Sequence, residues 1–438
     1  MITVTDFSEA KQLLTRENPL ESFTVTPGLA AQIQRIFGEE LSPQEVVERI
    51  INEVQREGDK ALFDYAKKLD GVELDSLEVG RQEISAARNT VNEELLSALK
   101  LAAKMIRDFY LACKPKVGTS PISEYLRQHV RPLDKVGIYI PGGTAAYPST
   151  VLMSAIPARV AGVREIIMVS PPGENGNISL PTLAAADIAQ VDRIFKVGGA
   201  QAIAALAFGT ESIPQVDKIC GPGNIFVTLA KKLVYGAVDI DGLQGPSEIM
   251  IIADNTSDPA LCAADLLAQA EHDPLASAIL ISTSSELANQ VNKEIEAQSG
   301  KLARRSIIAQ ALDRGIIVLV NNVDEAIELV NHFAPEHLSL MVSGAAALTS
   351  KIYNAGCIFV GENSPVVLGD YVAGPSHILP TGGSARFSSA LCVEDFLKVT
   401  NVVALDNHTM QELSQAAMVI ARAEGLDAHA KAIEKRLG

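Results

Sequence analysis

The chain has 438 residues, with 37 Lys and Arg against 53 Asp and Glu, a formal net charge of −16, and 47% hydrophobic residues. This is the composition of a globular protein, and an acidic chain without a Lys/Arg run is a poor partner for nucleic acid. The five cysteines (Cys113, Cys220, Cys262, Cys357, Cys392) form no Cys-x-x-Cys pair, the N-terminus lacks a signal peptide's apolar core, and no uncharged apolar run reaches the roughly 18 residues of a membrane span, so a cytoplasmic protein is expected, with no membrane partner.

The first hundred or so residues read as helical. Ser42-Pro43-Gln44-Glu45 combines an N-cap, a Pro at the first helical position and an acid at the third, and Val46, Val47, Ile50, Ile51 and Val54 recur at helical spacing. Gly58 interrupts that helix, and Gly71 closes a second one that starts near Asp59. A longer helical stretch is expected from about Gln82 to Cys113, ending before Pro115.

From Val136 short β-branched runs alternate with Ala-rich helical segments. Val136–Ile140, Glu165–Ser170, Arg193–Val197 and Asp217–Cys220 read as strands, with helical patterns between them from Thr150, Leu180, Gln201 and Asn224. A second series follows at Glu248–Ala253, Ser277–Ser282, Gly315–Val320, Leu338–Val342 and Cys357–Gly361, and the final fifty residues return to helix. The fold class is α/β, with two layered units and mostly parallel sheets.

Such alternation suggests a nucleotide site, but neither Gly-x-Gly-x-x-Gly nor Gly-x-x-x-x-Gly-Lys-Ser/Thr occurs. Instead Pro141-Gly142-Gly143, Gly198-Gly199-Ala200-Gln201 and Gly221-Pro222-Gly223-Asn224 each follow a strand and lead toward a helix. Any one of them by itself reads more readily as an ordinary turn. Three at the carboxyl end of one sheet are where an open α/β sheet binds ligands, with helix N-termini able to receive phosphate.

Four of the seven histidines stand beside acids or amides. Asp265, Gln269 and His272, at i, i+4 and i+7, fall on one helix face, which offers either metal donors or a polar helix end. Ala334-Pro335-Glu336-His337 lies between a helix and a strand, where only an irregular backbone lets both side chains share a pocket for acid/base work. Gly369-Asp370-Tyr371 through His377 reads as a glycine-punctuated loop, and Glu424-Gly425-Leu426-Asp427-Ala428-His429 as a helix end followed by a last short helix.

Taken together these strings resemble the histidinol dehydrogenase family, from Val136-Gly-Ile-Tyr-Ile-Pro-Gly-Gly through Gly245-Pro-Ser-Glu, Gln269-Ala-Glu-His, Ala334-Pro-Glu-His and Gly369-Asp-Tyr to His429. The resemblance implies an NAD-dependent, zinc-containing homodimer that oxidises L-histidinol through L-histidinaldehyde to L-histidine. It implies two incomplete Rossmann-like domains: 35–138 with 249–391 carries the catalytic and metal residues, and 139–248 carries the NAD-contacting loops. An N-terminal helical arm, 1–34, and a C-terminal helical segment, 392–438, flank them and are exchanged between subunits. The family's metal positions fall on Gln269, His272, Asp370 and His429, for one zinc ion per subunit, and its acid/base pair on Glu336 and His337. Ser247, His377 and Glu424 match substrate contacts in addition to those residues, and Tyr139, Gln201 and Asn224 match NAD contacts. One departure is Gln244, where the family usually has a small residue. Competing readings are a zinc- and NAD-dependent dehydrogenase of another small polyol or amino alcohol, a metal-dependent hydrolase using zinc-bound water, and a non-catalytic binding protein.

Overall fold

The computed structural model describes residues 1–16, 27–142 and 146–438; residues 17–26 of the expected N-terminal arm and Gly143 of the first glycine loop lie outside the described residues. The chain forms two compact units, Met1–Lys114 with Leu133–Phe396, and Pro115–Pro132 with Leu397–Gly438.

The first unit contains two parallel sheets. One orders its five strands as Arg193–Phe195, Glu165–Val169, Lys135–Tyr139, Lys218–Cys220 and Asp239–Ile240. Numbered along the chain this is 3-2-1-4-5, the doubly wound order whose direction reverses beside the first strand. The other sheet runs Ile316–Leu319, Ser277–Ser282, Glu248–Ala253, His337–Met341 and Cys357–Val360, again 3-2-1-4-5, with Ile2–Val4 added in parallel at its edge.

Both faces of the larger sheet are apolar because helices cover both. Along Glu248–Ala253, Ile249 and Ile251 enter the core with helices Pro259–Ala270 and Ser285–Ser299, while Met250 and Ile252 face helices Phe7–Leu13 and Val323–Phe333. Each fully buried side chain of this size contributes about 1.5–3 kcal/mol, which fixes the register, since a one-residue slip would exchange the two faces. Helices Pro43–Glu57, Gly199–Phe208 and Ile225–Val234 pack on the smaller sheet around Phe195 and Ile219.

The second unit pairs Leu397–Val403 with Leu126–Pro132, and the latter with Gly118–Pro121, all antiparallel, and adds helices Asn407–Ala423 and Asp427–Leu437.

Several sequence expectations require correction. The helical N-terminal region opens on a strand, Ile2–Val4, and the final fifty residues contain the strand Leu397–Val403. The stretch from Gln82 to Cys113 is two helices, Arg81–Thr90 and Glu93–Cys113, because the Asn92 side chain caps the second by accepting from the Leu95 amide. Gly369 and Asp370 stand in a short helix, Val366–Tyr371, instead of a loop. Among the described residues no helix is long and apolar enough to cross a membrane.

Candidate active site

The short loop 241–247 leads from the carboxyl edge of the five-stranded sheet to the amino edge of the six-stranded one. Glycine loops stand at the first edge and the histidine–carboxylate cluster at the second.

Helix Val323–Phe333 ends at Ala334, whose left-handed backbone (φ 55°) turns the chain before Pro335. A non-glycine residue in this region costs about 1–2 kcal/mol, and the irregular turn replaces strand alternation where Glu336 and His337 must meet. Oε2 of Glu336 lies 3.4 Å from Nδ1 of His337, and both residues are buried. His337 opens its strand, and its Nδ1 donates to the carbonyl of Glu248 on the neighbouring strand at 3.0 Å. Its Nε2 faces Oδ1 of Asp370 at 3.3 Å.

Burial disfavours the His337 imidazolium, but the carboxylates of Glu336 and Asp370 outweigh it and hold its pKa well above the imidazole range. Burial pushes Glu336 up, against the attraction of His337. Burial would raise Asp370 too, but the hydrogen bond from His337 and the nearby His377 and His272 imidazoles bring it below the usual value. His377 is pushed down by burial. As a neutral ring it donates from Nδ1 to the Asp370 carbonyl at 2.7 Å and accepts at Nε2 from the Thr150 hydroxyl at 3.2 Å. His337, Asp370 and His377 line one pocket with Cys357, Phe359 and Gly369, and a Cβ on Gly369 would come within 2.5 Å of the Phe359 ring.

The expected helix face of Asp265, Gln269 and His272 is only partly realised: the helix ends at Ala270, Asp265 and Gln269 are buried on it, and His272 stands exposed in the following turn. Gln269 is 3% exposed, and its side chain makes no hydrogen bond to the described residues. Among the described residues no group of three His, Cys, Asp or Glu side chains stands at metal-binding separations. Glu424 and His429 are both exposed on the second unit, and Ser247 is half-buried just before Glu248.

At the five-stranded sheet, the Tyr139 hydroxyl accepts from the Gly199 amide at 3.2 Å. Gln201 is 1% exposed, and its Oε1 lacks a hydrogen-bond partner. Asn224 caps the helix Ile225–Val234, its Oδ1 accepting from the amides of Phe226 and Val227. A Cβ on Gly221 (φ +115°) would stand 2.1 Å from the Tyr139 carbonyl oxygen, so only glycine allows this close approach. The Gly198 and Gly221 loops thus stand together at the carboxyl end of one parallel sheet, where open α/β sheets bind ligands, and Oε1 of Gln201 is left unpaired there.

Gln244, the departure from the family pattern, caps a buried ion pair. The Lys231 ammonium contacts the Asp241 carboxylate, donates to Oε1 of Gln244 at 2.8 Å and to the Gly221 carbonyl at 3.1 Å, and Oδ2 of Asp241 accepts from the Gly221 amide at 2.7 Å. Gln244 therefore braces the Gly221 loop.

Sequence reasoning missed Glu248, Arg16 and Thr150. Glu248 was detectable as a charged residue opening an otherwise apolar strand; Arg16 carries no comparable signal.

A family model described as histidinol dehydrogenase matches residues 37–437. The chain is 53% identical over 438 residues to a histidinol dehydrogenase of Dehalococcoides mccartyi (strain CBDB1), covering 100% of both chains. It is 51% identical over 393 residues to one of Clostridium acetobutylicum, covering 89% of this chain and 91% of that one. A crystal structure of histidinol dehydrogenase from Elizabethkingia anophelis superposes with a TM-score of 0.90 at 36% identity, covering 100% of this chain and 98% of that one.

Proposed function

We propose, for a chain that belongs to the histidinol dehydrogenase family, the NAD-dependent oxidation of L-histidinol through L-histidinaldehyde to L-histidine, the closing reaction of histidine biosynthesis. The observation that carries this reading is the buried pairing of His337, anchored by a strand carbonyl, with Glu336, anchored separately by the Glu248 amide.

Two successive oxidations require this pair. In the first, the hydroxyl proton passes to His337 as hydride leaves the carbon. In the second, Glu336 takes a proton from water as the oxygen adds to the aldehyde while the protonated His337 returns its proton to the carbonyl oxygen, and the neutral His337 then accepts the hydroxyl proton of the resulting diol as a second hydride leaves. NAD, held by Tyr139, Gln201 and Asn224 beside the glycine loops, would supply the hydride acceptor in both. Zinc, held by Gln269, His272 and Asp370 with His429 of a second copy, would supply a clamp for the substrate's nitrogens. His429 of the second copy is the fourth ligand that the family resemblance implies. Asp370, which faces Nε2 of His337 at 3.3 Å, would leave that nitrogen open to the substrate's proton when it holds the metal. Ser247, His377 and Glu424 would contact the substrate. The unpaired cysteines accord with a cytoplasmic location.

Purified protein is expected to reduce NAD⁺ with L-histidinol, to stop after chelation and to recover when zinc is restored. NAD-independent turnover would point instead to a hydrolase, and activity with simple diols but not histidinol to a related dehydrogenase.

The homodimer is supported by exposed apolar side chains on each unit. Leu101, Leu368 and Phe387 are exposed on the first, and Val399, Val419 and Ile420 on the second. Mixing inactive His429→Ala and His337→Ala proteins under exchange conditions is expected to restore part of the activity, because one of the two sites in a mixed dimer then has all its residues. Mixed dimers without activity would refute the shared site.

A further inference from the structure

Glu336 depends on a residue from the far N-terminus. Arg16 makes a bidentate pair with Glu248, one arm at 2.7 Å, in a setting where their side chains are 19% and 5% exposed. The guanidinium lies over the Phe333 ring, 3.6 Å from its centroid, and donates from Nε to the Phe333 carbonyl at 3.0 Å and from Nη2 toward that of Ala334 at 3.5 Å. The Glu248 carboxylate in turn accepts from the amides of Gly382 at 3.0 Å and Glu336 at 3.3 Å. Arg16 therefore grips the turn 333–336 directly at its start and through Glu248 at its end.

We infer that Arg16 is a positioning residue for the second oxidation: it holds the left-handed turn at Ala334 and thereby the Glu336 carboxylate. The two members of the acid/base pair are anchored differently. His337 is fixed by strand register and by the backbone carbonyl of Glu248, neither of which involves the guanidinium. The Glu336 carboxylate also accepts from the Glu248 amide at 2.7 Å, but the turn that delivers it converges on the guanidinium. Without Arg16 the buried Glu248 charge keeps only peptide amides as partners, and a carboxylate in that state draws its neighbours into a new arrangement. The loss falls on the step that uses Glu336. This inference rests on the reading of Glu336 as the residue that activates water.

The test uses full-length, zinc-loaded protein with NAD⁺. The first oxidation is followed from L-histidinol in the presence of an aldehyde trap, and the second from L-histidinaldehyde. Arg16→Gln is expected to slow the aldehyde step by about tenfold to a hundredfold and the first by less than about threefold, with KM for histidinol little changed, as a misplaced reacting group requires. Arg16→Lys should regain part of the loss by keeping the charge at Glu248, but not the fork that reaches Phe333. Equal slowing of both steps, or of neither, overturns the inference. Phe333→Leu, which removes the stacking face, should shift the same ratio in the same direction. If Arg16→Gln does not fold, Arg16→Lys and Phe333→Leu decide by that ratio. Glu336→Gln is measured beside them: if it fails to slow the aldehyde step selectively, the water-activating reading is wrong and the inference falls with it; if it succeeds while the Arg16 and Phe333 variants show no selectivity, only the inference falls.

Discussion

Replacing His337 with Ala is expected to slow NADH formation from L-histidinol by about 10²–10⁴-fold, the range for loss of a positioned general base. In the proposed cycle His337 receives a proton in both hydride transfers, so neither half escapes the loss. Metal content should stay near that of the parent, since Gln269, His272 and Asp370 remain. His337→Asn, which can keep a donor toward the Glu248 carbonyl, controls for the packing defect left by Ala; it should be as inactive while unfolding closer to the parent temperature. Activity within about tenfold of the parent would assign the base elsewhere.

Glu336→Gln should discriminate between the two halves. The amide preserves size and can still accept from the Glu248 amide, but it cannot take a proton from water. Conversion of L-histidinaldehyde is expected to fall by about 10²–10⁴-fold while the first oxidation changes little. Aldehyde should then be captured by an added trap when histidinol is the substrate. Because burial lifts the Glu336 pKa and a base works in its ionised form, the aldehyde step of the parent should gain rate as pH rises through that elevated value. That limb should vanish in the variant. Equal slowing of both substrates would remove the separate role of Glu336.

Local chemistry made much of the fold legible. Apolar β-branched runs bounded by glycine located nine strands of the two parallel sheets, with ends shifted by a residue or two where loops tighten. The strands that escaped reading lack that signature. Gly118–Pro121 and Leu397–Val403 are largely exposed, and Ile2–Val4 is too short to show a period. His337, Glu336, Asp370 and His377 were legible as rare polar residues at element ends, and the structure gathers them in one unit. The support behind them was not. Arg16 meets Glu248 across 232 positions, and such a contact leaves no mark in local spacing. The helix face proposed for His272 failed because the helix ends two residues earlier, at Ala270.

The edge strand Ile2–Val4 also bears on the order of assembly. It precedes its partner Ile316–Leu319 by some three hundred residues. The five-stranded sheet is complete by Ile240 and draws on neighbours close in sequence, so it is able to form during synthesis. The N-terminal segment must wait in solution until the larger sheet offers it an edge, and Arg16 waits with it. A nascent chain thus completes the sheet that carries the glycine loops well before the turn that presents Glu336 is held by Arg16.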